Sequence, residues 1–103
     1  MLTEFLQYMG LELNRSRLTV DAYGRDLREL AAFLGRGEEM EDAAAVSTSD
    51  VRAWLADMAR KGLSPRSLRR KTQAARAFFR WIQKQGDITS NPAAVVTIKV
   101  YAL

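Results

Sequence analysis

Residues 60–84 read RKGLSPRSLRRKTQAARAFFRWIQK, and most of them form a predicted helix with two opposed faces. Ser64 is a preferred N-cap residue, and Pro65 suits the first helical position, where its missing N–H costs nothing. Nothing breaks the pattern before Gly86, so the spacing predicts one helix of roughly six turns. At ~100° per residue, Leu68, Ala75, Phe78, Phe79 and Ile82 share one apolar arc. Arg66, Arg69, Gln73, Arg76, Arg80 and Lys84 fall on the opposite side, with Arg70 and Lys71 towards the edges. The stretch holds nine of the chain's 16 basic residues (Arg60, Lys61, Arg66, Arg69, Arg70, Lys71, Arg76, Arg80, Lys84) and no acid. A solvated helix face usually mixes signs, because like charges one turn apart repel. An acid-free basic face suits a polyanion, and a phosphate backbone is the simplest one.

Working outward, the segment before this helix supplies a partner for it. Val51, Trp54, Leu55 and Met58 are spaced as the core face of a third helix, capped by Thr48 or Ser49, with Asp50 in its first turn. Gly62 ends that helix, and Leu63 staples it to the basic one. The pair reads as a helix-turn-helix with the basic helix in the recognition position. Further upstream, Ser16 caps a second helix running to about Leu34, with Val20, Tyr23, Leu27, Leu30, Ala31 and Leu34 facing inward. A first helix over residues 2–13 places Leu2, Phe5, Leu6, Met9 and Leu13 on one side, weakened by Gly10. Residues 35–47 read as an acidic loop with a short Ala turn. Downstream, Asn91 caps a short fifth element beginning at Pro92, with Val95, Val96 and Ile98 packing back on the core. The expectation is an all-α domain of four helices plus a short fifth, in an orthogonal bundle.

Composition narrows the function. A chain of 103 residues, 48% hydrophobic, supports one core and one domain. Net charge is +4 but unevenly placed: residues 38–57 carry Glu38, Glu39, Glu41, Asp42, Asp50 and Asp57 against one base, Arg52. The chain is therefore a dipole with its positive end on one helix, which favours nucleic acid and disfavours a membrane surface, since the face opposite the charges is a bulky core stripe. Cysteine is absent, which excludes disulfides and thiolate metal sites. Histidine is absent too, which removes the commonest general base. Tyr8, Tyr23 and Tyr101 are nucleophiles only formally, with no base beside them in the pattern. The chain reads as a binding domain, not an enzyme, with no cofactor. It carries no signal-peptide pattern or long apolar run, and the expected location is the cytoplasm.

Within the basic helix, Ser64 is first of all a cap, while Ser67 sits one turn in, where a phosphate meets a docked helix N-terminus. Arg66 and Arg70 are i,i+4 neighbours able to grip phosphate or guanine at two points, and replacing both is expected to flatten the salt slope of binding by ~2. Arg76 either joins that face or pairs internally with Asp26 or Asp50. Trp54, Phe78, Phe79 and Trp81 are spaced as core and do not read as a base-stacking platform.

Several pieces in order resemble the N-terminal core-binding, SAM-like domain of tyrosine recombinases of the Xer and phage-integrase type. Ser16-x-x-Thr19-x-x-x-Tyr23-x-x-Asp26-Leu27 looks like that family's opening signature, and Asp50-Val51-Arg52-x-x-Leu55 like its third-helix motif. Ser64-x-Arg66-Ser67-Leu68, then Ala74-Ala75-Arg76-x-Phe78-Phe79-x-Trp81, then Asn91-Pro92 follow in the family's order, so the likeness covers nearly all of residues 1–98. The resemblance implies half of a C-shaped clamp on DNA, whose catalytic half would follow residue 103. It also implies that the second and fourth helices enter the DNA. With the basic face added, the candidate contacts are Thr19, Arg25, Arg66, Ser67, Arg69, Arg70, Lys71, Gln73 and Arg76. Partners implied are double-stranded DNA and other recombinase protomers, met through the first and fifth elements, with the isolated domain a monomer. Residues 99–103 would begin the interdomain linker, where Ile98-Lys99 departs from the family's frequent Pro-Lys. Gln73 stands for a frequent small Ser and Lys71 for a frequent Arg. The competing reading is a SAM-like protein-interaction domain whose basic face binds an acidic partner. An RNA-binding module ranks last, lacking an aromatic platform.

Overall fold

The structure, a computed structural model, describes residues 1–98 and is all-helical over them: α1 (Leu2–Leu11), α2 (Arg17–Phe33), a 3-10 turn (Ala43–Ala45), α3 (Thr48–Arg60) and α4 (Pro65–Lys84). The linker expected over residues 99–103, and Tyr101 within it, lie outside the described residues. Helix α4 packs against α1, α2 and α3, and α2 in turn contacts α1 and α3.

Each helix starts where a side chain or loop satisfies the free N–H groups of its first turn. Ser64 Oγ accepts from Ser67 N–H at 3.2 Å, with Pro65 at the first position of α4. Ser16 Oγ does the same for Thr19 N–H at 3.2 Å. Helix α3 is capped by Ser47, one residue before Thr48 and two before Ser49, the two expected caps. Its hydroxyl accepts from Asp50 N–H at 3.0 Å, and the Asp50 carboxylate accepts from Ser47 N–H at 2.9 Å. That reciprocal box holds two donors, which neither alternative can match with Asp50. Helix α1 is capped from a distance by the acidic loop. Leu2 N–H donates to the Glu39 carbonyl at 3.0 Å, and Thr3 N–H to Glu39 Oε1 at 2.9 Å.

The turn between α3 and α4 depends on Gly62, whose φ of +92° suits a residue without Cβ. Gly62 N–H donates to the Ala59 carbonyl and Leu63 N–H to the Met58 carbonyl, both at 3.1 Å, closing α3 by a Schellman motif. Leu63 then packs partly buried against the core, as expected of a staple.

The core is one cluster built from all four helices. Phe5, Trp54, Phe78, Phe79, Leu27 and Leu55 are among its large fully buried members. Phe5 meets Phe78 edge-on at 5.4 Å between ring centroids, which joins α1 to α4. Gly24 is buried where α1 crosses α2, and a Cβ there would meet Leu6 Cδ1 at 3.2 Å.

Two expected segments differ. Helix α1 ends at Leu11, so Leu13 lies in the connection and is exposed. The chain reverses at Asn14, which adopts φ +55°, after Leu13 N–H has closed on the Tyr8 carbonyl at 3.1 Å. The short fifth element after Asn91 is a hydrogen-bonded turn, not a helix. Val96 N–H donates to the Ala93 carbonyl at 3.4 Å, and the Ala93 and Val96 carbonyls both accept from the Arg76 guanidinium. Val96 is buried and Ile98 partly so, but Val95 points out.

Candidate nucleic-acid interface

Arg66, Ser67, Arg69, Arg70 and Gln73 surround one shallow depression of about 400 Å³ on the first half of α4. Arg66, Arg69 and Gln73 are exposed, and Ser67 is half-buried, its hydroxyl within 3.2 Å of Ser64 Oγ. Among the described residues, no acid pairs with Arg66, Arg69, Arg80 or Lys84. These four cations share the solvent face of α4, spread over its whole length.

Three of the expected contacts are engaged inside the protein. Arg70 donates from Nε to Asp26 Oδ2 at 3.0 Å and from Nη2 to Asp26 Oδ1 at 3.1 Å. These hydrogen bonds hold its guanidinium pKa above the ordinary arginine value. Arg70 nonetheless remains half-exposed, with 46% of its side chain accessible. Lys71 differs more sharply from expectation. Its side chain is 5% exposed and its ammonium donates to Asp26 Oδ1 at 2.8 Å and to Glu29 Oε2. It also lies 6.0 Å from the centre of the Trp54 ring. The reason is geometric: at ~100° per residue Lys71 falls inside the arc of Leu68, Ala75 and Phe78, not at its edge. It does not line the depression formed by Arg66, Ser67, Arg69, Arg70 and Gln73.

Arg76 is half-buried and internal, but neither Asp26 nor Asp50 is its partner. Nε donates to the Ala93 carbonyl at 3.1 Å and Nη2 to that of Val96, while Asn91 Nδ2 donates to the Arg76 carbonyl at 3.1 Å. The residue pins the chain after α4 back onto the helix. On α2, Arg25 is exposed and forms no ion pair among the described residues. Thr19 is half-buried, its Oγ1 accepting from Ser16 Oγ at 3.0 Å.

A second groove, of about 510 Å³, runs between α1 and the second half of α4, with Tyr8, Tyr23 and Trp81 in its walls and Arg15, Arg80 and Lys84 at its rim. It extends the positive surface beyond the nine candidates. Arg80 and Lys84 were visible at i,i+4 spacing from Arg76. Arg15 gave no signal, because a loop arginine follows no helical period.

The geometry defines a class first: a four-helix all-α domain that presents a long, uncompensated basic helix face next to a second helix. The chain belongs to the family described as phage integrase, N-terminal SAM-like domain, whose model matches residues 2–86. It is 36% identical over 92 residues to tyrosine recombinase XerC of Xanthomonas campestris pv. campestris (strain B100), covering 89% of this chain and 28% of that protein. Over 94 residues it is 40% identical to tyrosine recombinase XerC of Mycobacterium tuberculosis (strain ATCC 25177 / H37Ra), covering 90% of this chain and 30% of that one. The chain thus spans about three tenths of the length of the curated relatives it matches. No solved structure matches it. Among the described residues, no helix is long and apolar enough to cross a membrane.

Proposed function

We propose that this domain is the DNA-gripping module of a site-specific tyrosine recombinase, holding part of the half-site for a catalytic domain that carries the chemistry. The observation that carries this reading is the free cationic face of α4: Arg66, Arg69, Arg80 and Lys84 without a single acidic partner among the described residues. Phosphate contacts from such side chains give affinity and register, while base edges in the major groove give sequence preference. The α4 N-terminus adds to the site, since the Ser67 hydroxyl and the Arg66 N–H offer donors to a phosphate, while Ser64 already holds the N–H groups of Ser67 and Leu68. Arg25 and the Thr19 end of α2 supply the second approach to the duplex, and other recombinase protomers are the expected protein partners. The domain itself performs no bond chemistry in this account.

Backbone amide shifts followed by NMR, as a short duplex is added at two salt concentrations, test the proposal. Salt-sensitive shifts are expected on residues 64–73 of α4 and 16–25 of α2. Shifts confined to α1 and the acidic loop would contradict it and favour a protein partner for the basic face.

A further inference from the structure

We infer that Arg70 reads a guanine, and that buried Asp26 is the positioning residue that holds it for that task. The inference rests on the DNA-binding reading of α4. Asp26 is 1% exposed, on the side of α2 that faces α4. It takes the Nε–H and one Nη2–H of Arg70, at 3.0 and 3.1 Å, which is the side edge of the guanidinium. The end edge, formed by Nη1 and the second Nη2–H, has no partner among the described residues. It points away from the carboxylate, on a side chain that lines the depression shared with Arg66, Arg69 and Gln73. Two parallel N–H donors in a plane match the O6 and N7 acceptors of guanine in the major groove. A guanidinium already fixed along one edge loses little freedom when the other edge docks.

Charge separates this role from a phosphate clamp. Arg70 and Lys71 bear two positive charges, and Asp26 and Glu29 two negative ones, all joined by ion pairs. The cluster is formally neutral, so it offers a phosphate little net attraction. Geometry is what it retains. Arg66 and Arg69, by contrast, are unpaired and suit phosphates. Lys71 completes the arrangement, because a carboxylate this buried needs more than one half-exposed cation beside it.

The test is selection from a randomised 20-base-pair duplex pool with the 103-residue chain, followed by salt titrations on a recovered duplex. The wild-type chain should enrich guanine at one position, and Arg70→Lys, which keeps the charge but not the fork, should lower that enrichment about tenfold. Asp26→Asn should lower it similarly with helical circular dichroism retained. Arg70→Ala should leave the salt slope unchanged. In the free protein, the Arg70 Nε–H should give a sharp NMR signal protected from water exchange, a readout that stands even if Asp26→Asn unfolds. An Arg70→Lys pool equal to wild type, a slope lowered by about one in Arg70→Ala, or a rapidly exchanging Nε–H would each overturn the inference while leaving DNA binding intact. Failure of the wild-type chain to retain any duplex would remove the DNA-binding reading itself.

Discussion

Lys71 shows how one side chain can carry charge for the interior while its neighbours Arg66 and Arg69 leave theirs in solvent. Its ammonium sits 2.8 Å from Asp26 Oδ1 and lies beside Trp54, almost wholly out of water. An unpaired buried carboxylate is destabilising by ~3–5 kcal/mol, but Asp26 keeps Arg70 when Lys71 is lost. Lys71→Met should therefore cost about 2 kcal/mol in urea denaturation and leave the salt slope of DNA binding unchanged. A slope reduced by about one would place Lys71 on a phosphate and contradict the burial argument. The net charge of this region was legible in the sequence, but its pairing was not. Asp26 stands 44 residues from Arg70 and 45 from Lys71, and no local period links positions so far apart. Arg76 hid its role for the same reason, since its acceptors are backbone carbonyls 17 and 20 residues downstream.

At the level of the elements, most helix ends were legible because their punctuation is local. Ser16, Ser64-Pro65 and Gly62 act within one turn of where they stand. The start of α3 was misplaced by one or two residues because Ser47, Thr48 and Ser49 offer three hydroxyls in a row, and only the partner Asp50 selects among them. The acidic loop gave no hint of its task, which is to cap α1. Glu39 accepts from the Thr3 hydroxyl and Thr3 N–H and lies 3.0 Å from the Met1 amino group, and these contacts lower its pKa from 4.5 to about 2. A carboxylate with a depressed folded-state pKa stabilises the fold above its unfolded value and loses that contribution as pH falls through the folded one. Stability should thus decline between about pH 4.5 and 2 in the wild-type chain, and Glu39→Gln should be less stable at neutral pH with a shallower acid loss. Thermal melts of both proteins across that range check the sign. Equal acid slopes would remove the capping role of Glu39.

For the whole molecule, the fold separates two populations of charge that the sequence presents as one. Asp26 and Glu29 of α2 neutralise the edge of α4 that packs inward, and the turn after Asn91 occupies Arg76 on the other edge. What remains outside is a ridge of unpaired cations along the middle of α4, with Arg25 of α2 also unpaired. The core of Phe5, Phe78 and Phe79 holds that ridge rigid from behind. The salt dependence of duplex binding tests this account most directly, comparing the wild-type chain with an Arg66→Ala, Arg69→Ala double variant by fluorescence anisotropy. The slope of log affinity against log salt should fall by about two in the double variant, one for each phosphate contact removed. An unchanged slope would contradict the central claim that the free face of α4 grips the DNA backbone.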